Sequence, residues 1–270
     1  MDPHDDVRTA LTIAGSDSGG GAGIQGDLKT FAALGVYGVS AITAVTAQNT
    51  RGIVDTLVLA ADVVAAQIDA VAGDIEVHAA KTGMLATAAI VEAVAAAIEE
   101  LELPMVVVDP VMVASSGDRL LDDDGIKALK LELLRRAMVV TPNIPEAEVL
   151  GGRPIRSLDD VRDAARRIHA LGPASVVITG GHAAGDEIVD LLFDGEMFTP
   201  FATPRVHTRN THGTGCAFAA ALAAHLALGH GLADAIAHSQ AYVAGAIRHG
   251  FALGQGAGAI DHFWRTRPVY

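Results

Sequence analysis

"ALTIAGSDSGGGAGIQGDLKTFAALG", residues 10–35, decides the fold. Its first six residues form a short apolar run of strand character, and its last twelve place apolar side chains at helical spacing, with a glycine loop between. Strand, glycine loop and helix make the opening unit of an α/β fold. The same alternation runs outward along the chain. "YGVSAITAVTA" (37–47) and "IVDTLVLA" (53–60) read as strands, and "DVVAAQIDAVAG" (62–73) as a helix with Asp62 at its cap. "VHAAKTG", "PMVVVD", "AMVVTPN" and "SVVITGG" read as further strands between helices over 87–102, 123–136 and 157–171, the last capped by Ser157. "EIVDLLFDGEMFTPF" (187–201) breaks the rhythm, because Asp194-Gly195 between apolar runs predicts an antiparallel hairpin. Helices over 214–228 and 232–249 follow.

Strands alternating with helices predict a three-layer α/β/α architecture, a mostly parallel sheet with a small antiparallel extension. No linker, low-complexity tract or fixed-period repeat divides residues 1–270, which read as one domain. Aromatics make up only 4% of a chain that is 50% hydrophobic, so Ala, Val, Leu and Ile must build the core, with helices lying close to the sheet. The net charge of −13, without any basic cluster, argues against nucleic acid or a membrane surface as partner. A single cysteine excludes an internal disulfide and a cysteine-based zinc site. "MDPHDDVRTA" lacks the apolar stretch of a secretory signal, and Cys216 to Leu228 is too short to cross a bilayer, so the expectation is a cytoplasmic protein.

In open α/β sheets, ligands bind beyond the carboxyl ends of the strands. Six predicted strand ends carry unusual residues: Gly15-Ser16-Asp17, Gln48-Asn49, Lys81 to Met84, Asp109-Pro110, Asn143 with Glu146, and Thr179 to His182. Turns also favour Gly, Asp and Asn, but turn chemistry explains one such loop better than six. Gly21, Gly23 and Gly26 spell the dinucleotide-binding G-x-G-x-x-G, which would suit an NAD-dependent dehydrogenase. Against it, Asp17 and Asp27 flank the place of the pyrophosphate, and no acid stands about 20 residues downstream. Gly21 and Gly26 have Walker A spacing, yet Asp27-Leu28 replaces the Lys and Ser/Thr. A glycine loop approaching a neutral, donor-rich ligand remains, with Asp17 or Asp27 as acceptor.

Gln48 offers the donor and acceptor pair that reads an aminopyrimidine or adenine edge, or it is an ordinary turn-stabilising Gln. Asp109, Asn143 and Glu146 suit a hydrated Mg²⁺ beside phosphate oxygens; Asn143 and Glu146 equally suit a turn and a first-turn helix acid. Gly213-Thr214-Gly215-Cys216 starts a helix, so unpaired amides there form an anion hole. Cys216 at that terminus is expected to have a lowered pKa, unless it is a small buried apolar residue; phosphate oxygens on the same amides would resist its full ionisation.

Together, "ALTIAGSDSGGGAGIQGDLKTFAALGVYG", "AVTAQNT", "AAKTGML", "VVVDPVMVASSGD", "VTPNIPEAEVL", "ITGGH" and "NTHGTGC" resemble the hydroxymethylpyrimidine/phosphomethylpyrimidine kinase family, a branch of the ribokinase superfamily. The resemblance runs from about residue 9 past 260. It implies a ribokinase-like fold and an enzyme that uses ATP and Mg²⁺ to phosphorylate 4-amino-5-hydroxymethyl-2-methylpyrimidine, then its monophosphate, in thiamine biosynthesis. It places Gly15, Asp17, Ala22, Asp27, Gln48, Met84 and Val111 around the pyrimidine and Asp109 and Glu146 at the metal. Asn143, Thr179, Gly181 and His212 fall on the nucleotide, and Gly213, Thr214, Gly215 and Cys216 at the transferring phosphoryl group. Cys216 occupies the position where sugar-kinase relatives carry an Asp that serves as general base. Ser115 and Thr179 stand where many members carry Lys, which removes two positive charges near the phosphates. A homodimer is implied on the same ground. A pyridoxal or pyridoxine kinase is the related alternative, and a non-catalytic sensor of the pyrimidine would keep the pocket without turnover.

Overall fold

The computed structural model describes residues 7–114, 117–181 and 185–267, so Ser115 and His182 lie outside the described residues. The opening unit is present as β1 (Thr9–Asp17) and α1 (Gly23–Ala33). Every residue of β1 from Thr9 to Gly15 is buried, as a central parallel strand covered on both faces must be. Next come β2 (Tyr37–Asn49), β3 (Gly52–Val58), α2 (Ala61–Ala72), β4 (Ala79–Thr82), α3 (Ala88–Glu100) and β5 (Val106–Val108). The second half contains α4 (Asp123–Ala128), β6 (Val139–Val140), α5 (Ile144–Gly151), α6 (Leu158–His169), β7 (Val176–Ile178), β8 (Glu187–Phe193), β9 (Phe198–Pro204), α7 (Thr214–Ala227) and α8 (Leu232–Arg248).

One nine-stranded sheet runs in the order β3-β2-β1-β4-β5-β6-β7-β8-β9. The six strands from β2 to β7 in that order are parallel neighbours, while β3 on one side and β8 and β9 on the other are antiparallel. Val64 and Ile68 of α2, Ile90 to Ile98 of α3, Ala147 and Leu150 of α5 and Ala164 to Ile168 of α6 cover one face. Phe31 of α1, with α7 and α8, covers the other. This is the three-layer arrangement the resemblance implied. Among the described residues no helix is long and apolar enough to cross a membrane.

Local chemistry explains the agreements and the differences. Ser157 caps α6 by accepting from the Asp160 amide, as expected. Asp194 turns the hairpin by accepting from the amides of Glu196 and Met197 at 2.9 and 2.7 Å, with Gly195 at φ +96°. Asp62 is not the cap of α2: Ala60 holds that position, and Asp62 sits in the first turn, its carboxylate on the Val63 amide. The expected helix over 123–136 is regular only to Ala128. A wide π turn over Leu129–Leu133 and a tight 3₁₀ turn over Leu134–Arg136 follow. Buried Leu129, Leu133 and Leu134 are all directed inward by that change of pitch.

Candidate active site

The carboxyl ends of the parallel strands open into a cleft of about 750 Å³. Sheet order sets its layout. Gly15 and Asp17 after β1, Gln48 on β2 and Met84 after β4 line one side, and Asp109 after β5 with Asn143 and Glu146 after β6 form the middle. Thr179 and Gly181 after β7, with Thr203 and Pro204 of β9, line the other side. The start of α7, from His212 through Gly213, Thr214 and Gly215 to Cys216, lines the same cleft, as do Ala22 and Val111. Asp27 alone among the expected site residues has no surface on it: it is fully buried.

The glycine loop is organised around Asp17. Its carboxylate accepts from the amides of Gly19 (2.7 Å), Gly21 (3.1 Å) and Ala22 (2.9 Å) and lies 2.9 Å from His212 Nε2. Burial opposes the charge, but His212 and the Ala22 and Gly19 amides outweigh it and hold the Asp17 carboxyl below its ordinary value. The reading of this loop as a pyrophosphate cradle fails here, since the amides that would bind the pyrophosphate are engaged by an internal carboxylate. Asp17 is likewise a loop organiser rather than a ready acceptor for a ligand. Two glycines are required by close approach. Gly23 has φ +55°, and a Cβ on it would lie 2.2 Å from the Gly15 carbonyl oxygen. Gly213 has φ +84°, and its Cβ would lie 1.8 Å from the Gly21 carbonyl oxygen. The glycine loop and the start of α7 are thus pressed together backbone to backbone.

At the cleft floor, Lys81 Nζ lies 2.9 Å from Asp27 Oδ2 and 3.9 Å from Asp109 Oδ2, and behind it Thr12 Oγ1 donates to Asp27 at 2.6 Å. Burial by itself would lower the Lys81 pKa. The neighbouring Asp27, Cys216 and Asp109 more than offset it, so the ammonium stays charged above the ordinary lysine value. Asp27, expected against the ligand, therefore works one layer back, as the counter-ion of a buried lysine. Lys81, singled out in the sequence only as part of a strand end, has a role that sequence reasoning did not assign. Its signal was a lone cation inside the otherwise apolar strand "HAAKTG", which demands a buried acid elsewhere.

Asp109 and Glu146 form a strained acidic pair. Burial, with the Asp27 charge and despite Lys81, pushes the Asp109 carboxyl up to about 6. Burial and the Asp109 charge push Glu146 up to about 8, against the amides of Asn143 and Met112. Asn143 and Glu146 do fulfil the bland expectation, for they make the capping box of α5: Asn143 Oδ1 accepts from the Glu146 amide and Glu146 Oε2 from the Asn143 amide, both at 3.0 Å. The same two side chains nonetheless line the cleft. Asp109 Oδ2 is buried without a hydrogen-bond partner. Two mutually repelling carboxylates with an unsatisfied oxygen are the donor set a hard divalent cation relieves.

At the start of α7 no side chain caps the helix, and the Thr214 amide turns back to the Thr211 carbonyl at 3.2 Å. The Cys216 thiol sits beside the Asp109 carboxylate and the Gly23 amide. The expected lowering of the Cys216 pKa is overturned. Burial, with the Asp109 and Asp27 carboxylates and against the pull of Lys81, pushes the thiol up to about 12. One helix terminus cannot compensate for desolvation next to two acids.

On the β2 side, Gln48 Oε1 accepts from Thr46 Oγ1 at 3.0 Å, and a Cβ on Gly15 would touch the Met84 sulfur at 2.9 Å. The Met84 side chain thus packs directly over Gly15, which it can do because Gly15 carries no side chain. On the β7 side, His212 does not join Thr179 and Gly181 but bridges to the glycine loop through Asp17. Arg205 does join them: its guanidinium donates to the Gly181 carbonyl at 3.0 Å and the Gly185 carbonyl at 2.7 Å while lining the cleft. Phe218, Val243 and Ile247 add an apolar wall from α7 and α8.

Residues 17–261 match the family model of phosphomethylpyrimidine kinase. The thiamine biosynthesis bifunctional protein of Geobacter sulfurreducens is 51% identical over 261 residues, covering 97% of this chain but 53% of that protein. The hydroxymethylpyrimidine/phosphomethylpyrimidine kinase of Bacillus subtilis is 49% identical over 258 residues, covering 95% of both. An ADP complex of Bacillus subtilis pyridoxal kinase superposes with a TM-score of 0.90 at 40% identity, covering 97% of this chain and all of that one.

Proposed function

The chain belongs to the phosphomethylpyrimidine kinase family, and from that membership we propose how its cleft works, as a single kinase unit transferring phosphoryl groups in thiamine biosynthesis. The donor is ATP; the acceptors are 4-amino-5-hydroxymethyl-2-methylpyrimidine and then its monophosphate. The observation that carries this reading is the position of the Asp109–Glu146 pair and the uncapped α7 start between two halves of one cleft. The half lined by Gly15, Ala22, Gln48, Met84 and Val111 takes the aminopyrimidine, with Met84 and Val111 as apolar walls. Gln48 Oε1 keeps a lone pair besides the one on Thr46, so its amide can still pair with a ring nitrogen and its exocyclic amine. The half lined by Asn143, Thr179, Gly181 and the wall of Phe218, Val243 and Ile247 takes the nucleotide.

Asp109 and Glu146 would hold Mg²⁺, which when bound supplies charge neutralisation for the phosphate oxygens. Phosphoryl transfer passes through a loose transition state, so positioning and charge stabilisation dominate over proton abstraction. The amides at Gly213 to Cys216 orient the transferring group, and Lys81 places a fixed positive charge behind Asp109. The Cys216 thiol, protonated at rest, orients the alcohol as a hydrogen-bond acceptor, and the alcohol's proton leaves late, to an oxygen of the transferring phosphoryl group. Arg205 provides a cation beside Gly181 and stands in for the one missing at Thr179. A homodimer in the cytoplasm completes the reading. Val54 and Leu57, 78% and 66% exposed on the edge strand β3, support pairing with a second copy, and a solution mass of one 27.7-kDa chain would count against it.

A pyridoxal kinase activity is the second reading, favoured by the close superposition on a pyridoxal kinase. ATP consumption measured with the hydroxymethyl pyrimidine, its monophosphate and pyridoxal separates the readings. Turnover of both pyrimidines exceeding that of pyridoxal is expected; turnover of pyridoxal alone would reverse the assignment.

A further inference from the structure

The far end of α7 carries a second cluster of chemistry-bearing side chains that phosphoryl transfer does not use. His225 stands in the last turn of α7, His230 in the turn that follows, and His238 on α8. One nitrogen from each ring lies within 4.8 Å of the other two. The ring centroids are 5.3 Å (His225–His230), 5.1 Å (His225–His238) and 4.9 Å (His230–His238) apart, with the planes steeply tilted at 73°, 49° and 79°. The three rings meet without stacking and bring one nitrogen each into a common region.

His225 makes the arrangement more than a surface coincidence. It is 7% exposed, and neither Nδ1 nor Nε2 has a hydrogen-bond partner. Two unpaired nitrogens on a buried imidazole cost stability unless something satisfies them. The His230 amide donates to the His225 carbonyl at 3.1 Å, which fixes the turn carrying the second ligand over the first. The carbonyl end of α7 adds a favourable field for a cation, while the Arg265 guanidinium acts against it.

We propose that His225, His230 and His238 bind one divalent transition-metal ion of the zinc class, with water completing a tetrahedral shell. Neutral imidazoles select Zn²⁺, Co²⁺, Ni²⁺ or Cu²⁺ over Mg²⁺, whose preference is for oxygen. Zinc–nitrogen bonds of about 2.0–2.1 Å require ligand nitrogens about 3.4 Å apart. The exposed His230 and His238 side chains close that gap by rotation about the buried His225. The ion ties the end of α7 to α8, some eleven residues or roughly 17 Å along the helix from the phosphoryl-transfer loop, and its binding is independent of the kinase reading.

The test uses the full chain without a polyhistidine tag, stripped with chelator and titrated with Zn²⁺ calorimetrically in excess Mg²⁺, which occupies the oxygen-donor site. One Zn²⁺ per chain is expected. His230→Ala and His238→Ala, both at exposed positions, each weaken binding at least roughly tenfold and together abolish it, while Mg²⁺-dependent turnover is unchanged. Cobalt(II) in place of zinc gives the visible bands of a tetrahedral nitrogen and oxygen site. Absence of stoichiometric Zn²⁺ binding, binding that survives the double substitution, or a sulfur charge-transfer band marking Cys216 as the ligand would each overturn the proposal.

Discussion

Cys216 is a thiol kept protonated in the middle of a charge network, and that state sets what its substitution does. A pKa pushed up to about 12 by burial and by the neighbouring Asp109 and Asp27 carboxylates removes it from the class of preformed thiolate bases. Cys216→Ser keeps a hydroxyl in the same place and is expected to retain most turnover. Cys216→Ala is expected to lower kcat by at most roughly 100-fold, the low end of what a positioned proton-transfer group contributes, with little change in the unfolding midpoint. Cys216→Asp is expected to be worse than Ser, because a third carboxylate would join Asp109 and Asp27. Steady-state turnover of the three variants checks this, and near-normal kcat in the Ala variant leaves the amides as the whole machinery. The sequence placed Cys216 at a helix start but could not register Lys81, Asp27 and Asp109 converging beneath it. Those residues are separated by tens of positions, and their coupling exists only once β1, β4 and β5 are side by side.

At the scale of elements, the legible features were those with local causes. Period-2 and period-3.6 patterns found the strands and helices, Ser157 announced α6, and Asp194-Gly195 announced the β8–β9 hairpin. The π and 3₁₀ turns over Leu129–Arg136 were not legible, since they arise from fitting three leucines onto α3 and the sheet. Nor was the contact of the glycine loop with the start of α7, which joins residues almost 200 positions apart. Gly213→Ala tests that contact. The positive φ and the Gly21 carbonyl at 1.8 Å leave no room for a methyl group, so a loss of roughly 2–4 kcal/mol in unfolding free energy is expected. Gly215→Ala, where an added Cβ meets nothing within 4 Å, is the control and should unfold close to the parent. Denaturant midpoints of the two variants compare them directly; equal midpoints would remove the steric argument.

For the molecule as a whole, the acidic pair writes itself into the pH dependence of stability. Asp109 and Glu146 titrate near 6 and 8 when folded, above the ordinary 3.8 and 4.5. The folded state therefore binds more protons, and stability falls as pH rises toward the folded values, by up to about 1.4 kcal/mol per pH unit per proton. Buried His225 and His262, both lowered to about 4, act in the opposite sense below about pH 6.5. Glu146 thus dominates between about pH 6.5 and 8. Calorimetric midpoints in chelator are expected to fall across that window. Glu146→Gln removes the fall, and millimolar Mg²⁺ flattens it; a profile unaffected by either contradicts the pair. The fold class and the shared cleft were legible in the sequence because each strand end carries its own polar signature, whereas the division into cleft-lining and supporting acids needed three dimensions. One feature of the core bears on motion. Residues Ala217 to Ala227 of α7 are buried without exception, mostly as alanines wedged between the sheet, α1 and α8. A helix clamped on every side serves as a fixed anvil. The phosphoryl-holding amides at its start are therefore set on a helix with no free face to shift along, so the fit of a ligand is decided by the walls around them and not by displacement of α7.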